Sequence, residues 1–130
     1  HGGVGAALVR MDLAENRLTV EGLALLTEAL AEHGYLQSLD LGGNEQLGVG
    51  LTAKSGYGER VGNGLRSSAA LQDLHLWRCG LSDEAASIIL EAEPPRLQLI
   101  NLAANLFSSE LKGGLLRYRG NGAFPLSILV

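Results

Sequence analysis

Four stretches of this chain lie over one another position by position: LVRMDLAENRL (Leu8–Leu18), LQSLDLGGNEQL (Leu36–Leu47), LQDLHLWRCGL (Leu71–Leu81) and LQLINLAANLF (Leu97–Phe107). Each follows the pattern L-x-x-L-x-L-x-x-N/C. The ladder runs Leu8, Met11, Leu13; Leu36, Leu39, Leu41; Leu71, Leu74, Leu76; and Leu97, Ile100, Leu102, and every position is apolar. Three residues beyond each ladder stand Asn16, Asn44, Cys79 and Asn105, separated by 28, 35 and 26 residues. A period of this length marks one supersecondary unit used repeatedly, and no such unit can bury its own apolar face; only stacking does so. Composition agrees, with 27 leucines and six aromatic residues in 130. One aliphatic residue builds the core.

Within each unit the hydrophobic period changes. Segments such as M-D-L and L-H-L alternate with period two, as a strand with one buried face requires, and predict strands at 10–13, 38–41, 73–76 and 99–102. Leu23, Leu26 and Leu30 then fall at helical spacing, and the matching segments predict helices near 20–33, 58–69, 82–92 and 109–118. Gly34 is placed to end the first helix with His33 in its last turn. Ser82, followed by Asp83 and Glu84, opens the third, and Ser108 or Ser109 the fourth. Pro94–Pro95 stops the third, because proline cannot continue a helix. Strands sit ~4.8 Å apart and packed helices ~8–10 Å apart, so the stack is expected to curve, with the parallel sheet on its concave side.

The ladder resembles that of the leucine-rich repeat family over roughly residues 8–118. Leu18, Gly22, Leu26 and Leu30 fit L-x-x-x-G-x-x-x-L-x-x-x-L, which is similar to the long, helix-bearing repeat of ribonuclease inhibitor, the Ran GTPase-activating protein and the NOD-like receptors. The resemblance implies an α/β fold: a leucine-rich repeat solenoid, forming a segment of a right-handed β/α horseshoe. It would hold about four repeats in a single domain (8–35, 36–70, 71–96 and 97–119), with 120–130 as a C-terminal extension or the start of a next unit. The second repeat carries a Gly-rich insertion near 47–57. The chain starts at His1 and its one methionine is Met11, so a fragment of something longer is expected, with exposed leucine edges that leave it marginally stable alone.

Charge and cysteine content narrow the function. Ten basic against 14 acidic residues give a formal charge of -4 with no basic run, which argues against nucleic acid as a partner. The longest uncharged stretch, Leu97 to Ser109, is too short to span a bilayer, so no membrane insertion is expected. Cys79 is the only cysteine; neither an intrachain disulfide nor a Cys-based zinc site can form, and a reducing, intracellular and cytoplasmic setting is expected.

Several motifs invite chemistry. GVGLTAKS, Gly48 to Ser55, is one substitution from a phosphate-binding loop, with Ala53 where a glycine belongs, and it also reads G-x-G-x-x-A. Both patterns need a strand running straight into the loop and a helix straight out of it. Here Asn44 to Leu47 intervenes and the helix starts only near Gly58, so the segment reads as a flexible insertion, eight of its 23 residues from Gly42 to Gly64 being glycine. Asp12, Asp40 and His75 share one column of the sheet, but two carboxylates and one imidazole make an incomplete metal shell. No metal, cofactor or catalytic constellation is expected, and the chain reads as no enzyme. The Asn16, Asn44, Cys79 and Asn105 column reads as structural, a ladder whose buried amides satisfy the turn backbone, with Cys79 a small buried stand-in rather than a reactive thiol.

Alternation turns Arg10, Asp12, Ala14; Ser38, Asp40, Gly42; Asp73, His75, Trp77; and Leu99, Asn101, Ala103 toward the concave face. Trp77, flanked by Gly42 and Ala103, either stands exposed as an anchor or lies down over them. Beside Arg78 and acidic groups it has the composition of an interface hot spot, and the anchor is the expectation. Trp77, Asp40, His75, Asp73, Asp12, Arg10 and Arg78 are therefore the candidate partner-binding residues. The resemblance implies a protein–protein interaction or scaffold module, a non-catalytic part of a hetero-complex. It also implies two rivals: a GTPase regulator like the Ran GTPase-activating protein, for which Arg60 is the arginine near the insert, and the ligand-sensing repeats of a NOD-like receptor.

Overall fold

The computed structural model describes residues 9–120 and 125–130. Five strands, β1 (Arg10–Asp12), β2 (Ser38–Asp40), β3 (Asp73–His75), β4 (Leu99–Asn101) and β5 (Ser127–Leu129), form one parallel sheet in sequence order. Helices α1 (Val20–Glu32), α2 (Tyr57–Arg66), α3 (Asp83–Glu91) and α4 (Ser109–Arg117) make the four crossovers. The fold is α/β. β5 is an addition to the four expected strands and falls within 120–130; it pairs with β4 as a next unit would, Ile100 opposite Ile128. The ladder residue Leu8 lies outside the described residues, as do residues 121–124.

Register explains the core. Met11, Leu39, Leu74, Ile100 and Ile128 form one row across the sheet. Leu39, Leu74 and Ile100 are at most 2% exposed, and Leu41, Leu76 and Leu102 at most 1%. Met11 and Ile128, at the two ends, are only half-buried. Each interior leucine is covered by neighbours on both sides, whereas an end residue has one.

Helix ends depart from expectation in two places. α1 stops at Glu32, with His33 just past it giving its N–H to the Ala29 carbonyl; Gly34 is not left-handed, so it is not the terminator the pattern suggested. α2 stops at Arg66 rather than running to 69, where the Ser68 hydroxyl turns back to the Gly64 carbonyl and the chain leaves toward Leu71. α3 and α4 start as expected: Ser82 accepts from the Ala85 N–H, and Ser108 from that of Leu111. Asp83 then ties the two starts together, accepting from both the backbone and the hydroxyl of Ser108, which holds its carboxyl below the usual range.

The insertion is not the flexible loop its glycine content suggested. Leu47 and Leu51 are completely buried, and Gly48 gives its N–H to the Cys79 carbonyl at 2.9 Å. A Cβ on Gly48 would fall 2.6 Å from the Gly80 oxygen, so the backbone of the insert is packed against the turn of the next unit.

Candidate functional site

The sheet places the expected face in register. Arg10, Ser38, Asp73, Leu99 and Ser127 form one column, and Asp12, Asp40, His75, Asn101 and Leu129 a second. These side chains are exposed or half-buried, while the residue between them in β2, β3 and β4 is buried. At the β1 side of this face Arg10, Asp12, Ser38, Asp40 and His75 line an open groove of about 340 Å³. Among the described residues the side chains of Arg10, Ser38, Asp73 and His75 make no hydrogen bond or ion pair. They meet solvent, and a partner would meet them.

The second column has a job that the sequence reading missed. Asp12 Oδ1 accepts the N–H of Ala14, Asp40 Oδ1 that of Gly42, and Asn101 Oδ1 that of Ala103. Each short polar side chain closes the end of its own strand in an Asx-type turn. His75 cannot do this, and it is the one member of the three central strands left free for outside contacts. Asp40 is further committed, because the same oxygen accepts from Trp77 Nε1 at 3.1 Å.

Trp77 takes the pose opposite to the expected anchor. Its indole lies over Gly42: a Cβ there would sit 1.8 Å from Trp77 Cε2, and one on Gly43 would be 3.3 Å from the ring's far edge. The missing side chains make the bed for the ring. It remains half-buried, not covered, and the Arg78 guanidinium carbon is 5.8 Å from its centroid, within cation–π reach. The candidates Trp77, Asp40 and Arg78 thus form one connected patch, next to which Asp73 and His75 stand free.

Below this face runs the amide ladder. Asn44 Oδ1 accepts from the N–H groups of Asn16 and Leu18, and its Nδ2 donates to the carbonyls of Leu13 and Leu41. Asn105 repeats the pattern on Cys79 and Leu81, and on Leu76 and Leu102. Four backbone groups are satisfied by one side chain, which is why an apolar residue cannot replace it. Cys79 fills its slot buried, its thiol directed at the Leu41 carbonyl at 3.1 Å, and burial pushes its pKa up to about 11. Asn16 departs from the expected buried rung. It is exposed, and among the described residues no earlier turn lies behind it.

The residue before each rung is left-handed: Glu15, Gly43, Arg78 and Ala104 have φ of 59°, 75°, 49° and 61°. Only one of the four is glycine, so no sequence signal marked this column.

In the described residues the tempting motifs are engaged in contacts of their own. In the insert, the N–H groups of Val49, Leu51 and Thr52 are spent on nearby carbonyls, that of Ser55 on Thr52 Oγ1, and that of Ala53 on Glu84 Oε2 at 3.1 Å. A phosphate cradle needs those donors free, and a carboxylate beside them repels an anion. Arg60, the arginine a GTPase regulator would use, lies in α2 and binds Glu28 of α1 through two nitrogens, at 3.0 and 2.7 Å. Among the described residues no group of three or more His, Cys, Asp or Glu side chains is placed to hold a metal ion, and no helix is long and apolar enough to cross a membrane. No protein-family model and no curated protein matches the chain.

Proposed function

We propose that this chain is a protein-binding module of the leucine-rich repeat kind, a segment of a β/α horseshoe with the long, ribonuclease-inhibitor-like repeat, and that it serves as a non-catalytic part of a larger hetero-complex. The observation that carries the reading is the strand face, five strands wide, on which two columns of side chains stand in register and one tryptophan lies with its ring partly open to solvent. A parallel sheet with helices on its other face presents such a surface as a rigid array, which fits recognition of a folded partner better than it fits catalysis. Trp77 supplies the apolar centre, Arg78, Asp73, His75, Asp12 and Arg10 the polar surround, and Asp40 fixes the ring's angle. The partner is a protein; nucleic acid is disfavoured by the net charge of -4 and the lack of a basic run in the sequence.

The test is photo-crosslinking in native extract from two positions, Ser38 on the strand face and Asn63 on α2. A partner captured from Ser38 and not from Asn63, and lost with Trp77→Ala, supports the assignment; Trp77→Ala is expected to weaken its binding by about 2 kcal/mol. Gly42→Ala, which evicts the ring without removing it, should weaken the same partner. Capture from Asn63 alone, or binding indifferent to Trp77 but abolished by Lys54→Ala, would transfer the function to the helices or the insert.

A further inference from the structure

Trp77 is the one tryptophan of the chain, and its neighbours in the same row across the sheet are small. The register that pairs His75 with Asp40 and with Asn101 places Gly42 on one side of Trp77 and Ala103 on the other. The indole leans toward Gly42, one face against the backbone, and its Nε1 bond to Asp40 fixes it there. The other face is the part left half open.

Negative charge borders that face. A Cβ on Gly43 would lie 2.7 Å from Glu15 Cγ and 3.3 Å from the far edge of the ring, so the Glu15 side chain leans over Gly43 toward the indole. Asp40 stands at the nitrogen-bearing edge, and both of its hydrogen bonds enter at Oδ1. Among the described residues Asp40 Oδ2 and the Glu15 carboxylate accept no hydrogen bond and pair with no cation. On the strand columns Asp12, Asp40 and Asp73 stand against one arginine, Arg10. An open indole face carries the negative side of the ring quadrupole, so between two carboxylates it attracts a cation.

The molecule also shows which cation suits it. The Arg78 guanidinium carbon is over the ring at 5.8 Å from the centroid, near the outer limit of such contact. The Arg78 side chain is exposed, and among the described residues its guanidinium makes no hydrogen bond or ion pair. It is held by the ring alone and is a loose occupant.

We propose that the Trp77 ring is the seat for an arginine side chain of the protein partner, which stacks on the open indole face, pairs with Asp40 Oδ2 and Glu15, and displaces Arg78. A guanidinium fits because it is planar, weakly hydrated and forked toward carboxylates, whereas an ammonium has no plane to stack. Arg78 caps the seat while the partner is absent and competes with it. The assignment rests on the strand-face reading and goes beyond it by naming the side chain received and the residue that opposes it.

The experiment uses the single indole as reporter. A blocked five-residue peptide with one central arginine is titrated into the protein in the millimolar range, beside the same peptide carrying citrulline, which keeps the shape and loses the charge. Trp77 fluorescence and its indole N–H signal should move with the arginine peptide and stay in place with citrulline. Asp40→Asn keeps an oxygen for the ring and for Gly42 but removes the charge, and should weaken the peptide about threefold; Arg78→Gln should tighten it about threefold. Glu91→Gln, which removes one charge from the helix side, should leave the affinity unchanged. Equal response to citrulline, equal loss in Glu91→Gln, or weaker binding in Arg78→Gln would overturn the seat. A native partner that is captured from Ser38 and needs Trp77, yet is indifferent to Asp40→Asn and Arg78→Gln, would overturn the arginine seat and leave the strand-face reading standing. Peptide binding as expected with no partner captured from Ser38 would support the seat and count against that reading.

Discussion

A single carboxamide decides how much a junction between units is worth. Removing Asn105 leaves two N–H groups and two carbonyls unpaired in a buried turn, where each costs ~1–3 kcal/mol unless water reaches it. Asn105→Ala and Asn44→Ala should each lose about 3 kcal/mol in urea unfolding, and Asn16→Ala less than about 0.5 kcal/mol. Equal losses at all three positions would show that the rung acts through something other than the backward hydrogen bonds. Cys79 offers the matching test in pH. Its thiol is raised from 9.0 to about 11 by burial, against weaker lowering by the N–H groups of Asn44 and Gly43. A folded pKa above the unfolded one means that the buried neutral thiol stabilises fully below pH ~9, and that this contribution fades as pH rises from there through about 11. Urea midpoints of the wild type should therefore fall between pH 9 and 11 more steeply than those of Cys79→Ala. At neutral pH a thiol reagent should label Cys79 only on unfolding; rapid labelling of the native protein would contradict the buried rung. The ladder itself was legible in the sequence, because Asn and Cys recur at one offset from the leucines. The left-handed residues before it were not, since Glu15, Arg78 and Ala104 are not residue types that announce that conformation.

Elements were legible wherever period and punctuation agree. α3 is bracketed by Ser82 and Pro94–Pro95 and was readable to within a residue, whereas α2 ends at Arg66 with neither glycine nor proline to mark it. β5 was hidden for another reason: Pro125 stands where the earlier units open with leucine, so only the pairing with β4 reveals it as a strand. Glycine content misled in the insert, and it misleads again in α2. Gly64 looks like a helix weakener, worth ~1 kcal/mol less than alanine in a helix interior. A Cβ there would fall 2.6 Å from the Thr27 carbonyl carbon and 2.7 Å from its Cβ, so the glycine is what lets α1 and α2 approach. Backbone cannot yield as a flexible side-chain end can, so packing should override propensity: Gly64→Ala is expected to destabilise by about 2 kcal/mol. Gly114 in α4 has open space around its Cβ position, and Gly114→Ala should stabilise by up to ~1 kcal/mol. Chemical denaturation of the two variants gives opposite signs if the close helix contact is real. The Arg60–Glu28 pair that bridges the same two helices is well exposed, at 39% and 44%, so it orients the helices more than it holds them.

Taken as a whole, the molecule is a row of nearest neighbours. Strand order follows sequence order without a single crossover of more than one place, so each strand pairs only with the one before and the one after. Such a row has a stability profile, because an interior unit has two interfaces and an end unit one. Leu39, Leu74 and Ile100 are sealed from both sides, while Met11 and Ile128 are half-buried. Native-state hydrogen exchange should therefore be slowest in β2, β3 and β4 and fastest in β1 and β5. Local damage should stay local: Ile128→Ala should speed exchange in β5 and α4 and leave β1 and β2 at their wild-type rates, whereas Leu74→Ala in the middle should speed exchange throughout, since both halves lose a neighbour. The sequence made this linear plan readable through its repeat, but it could not say where the row is weakest, which depends on how many neighbours each rung actually has. A molecule that instead exchanged uniformly, with Ile128→Ala felt equally in β1, would be one cooperative globule, and the picture of independent junctions would have to be given up.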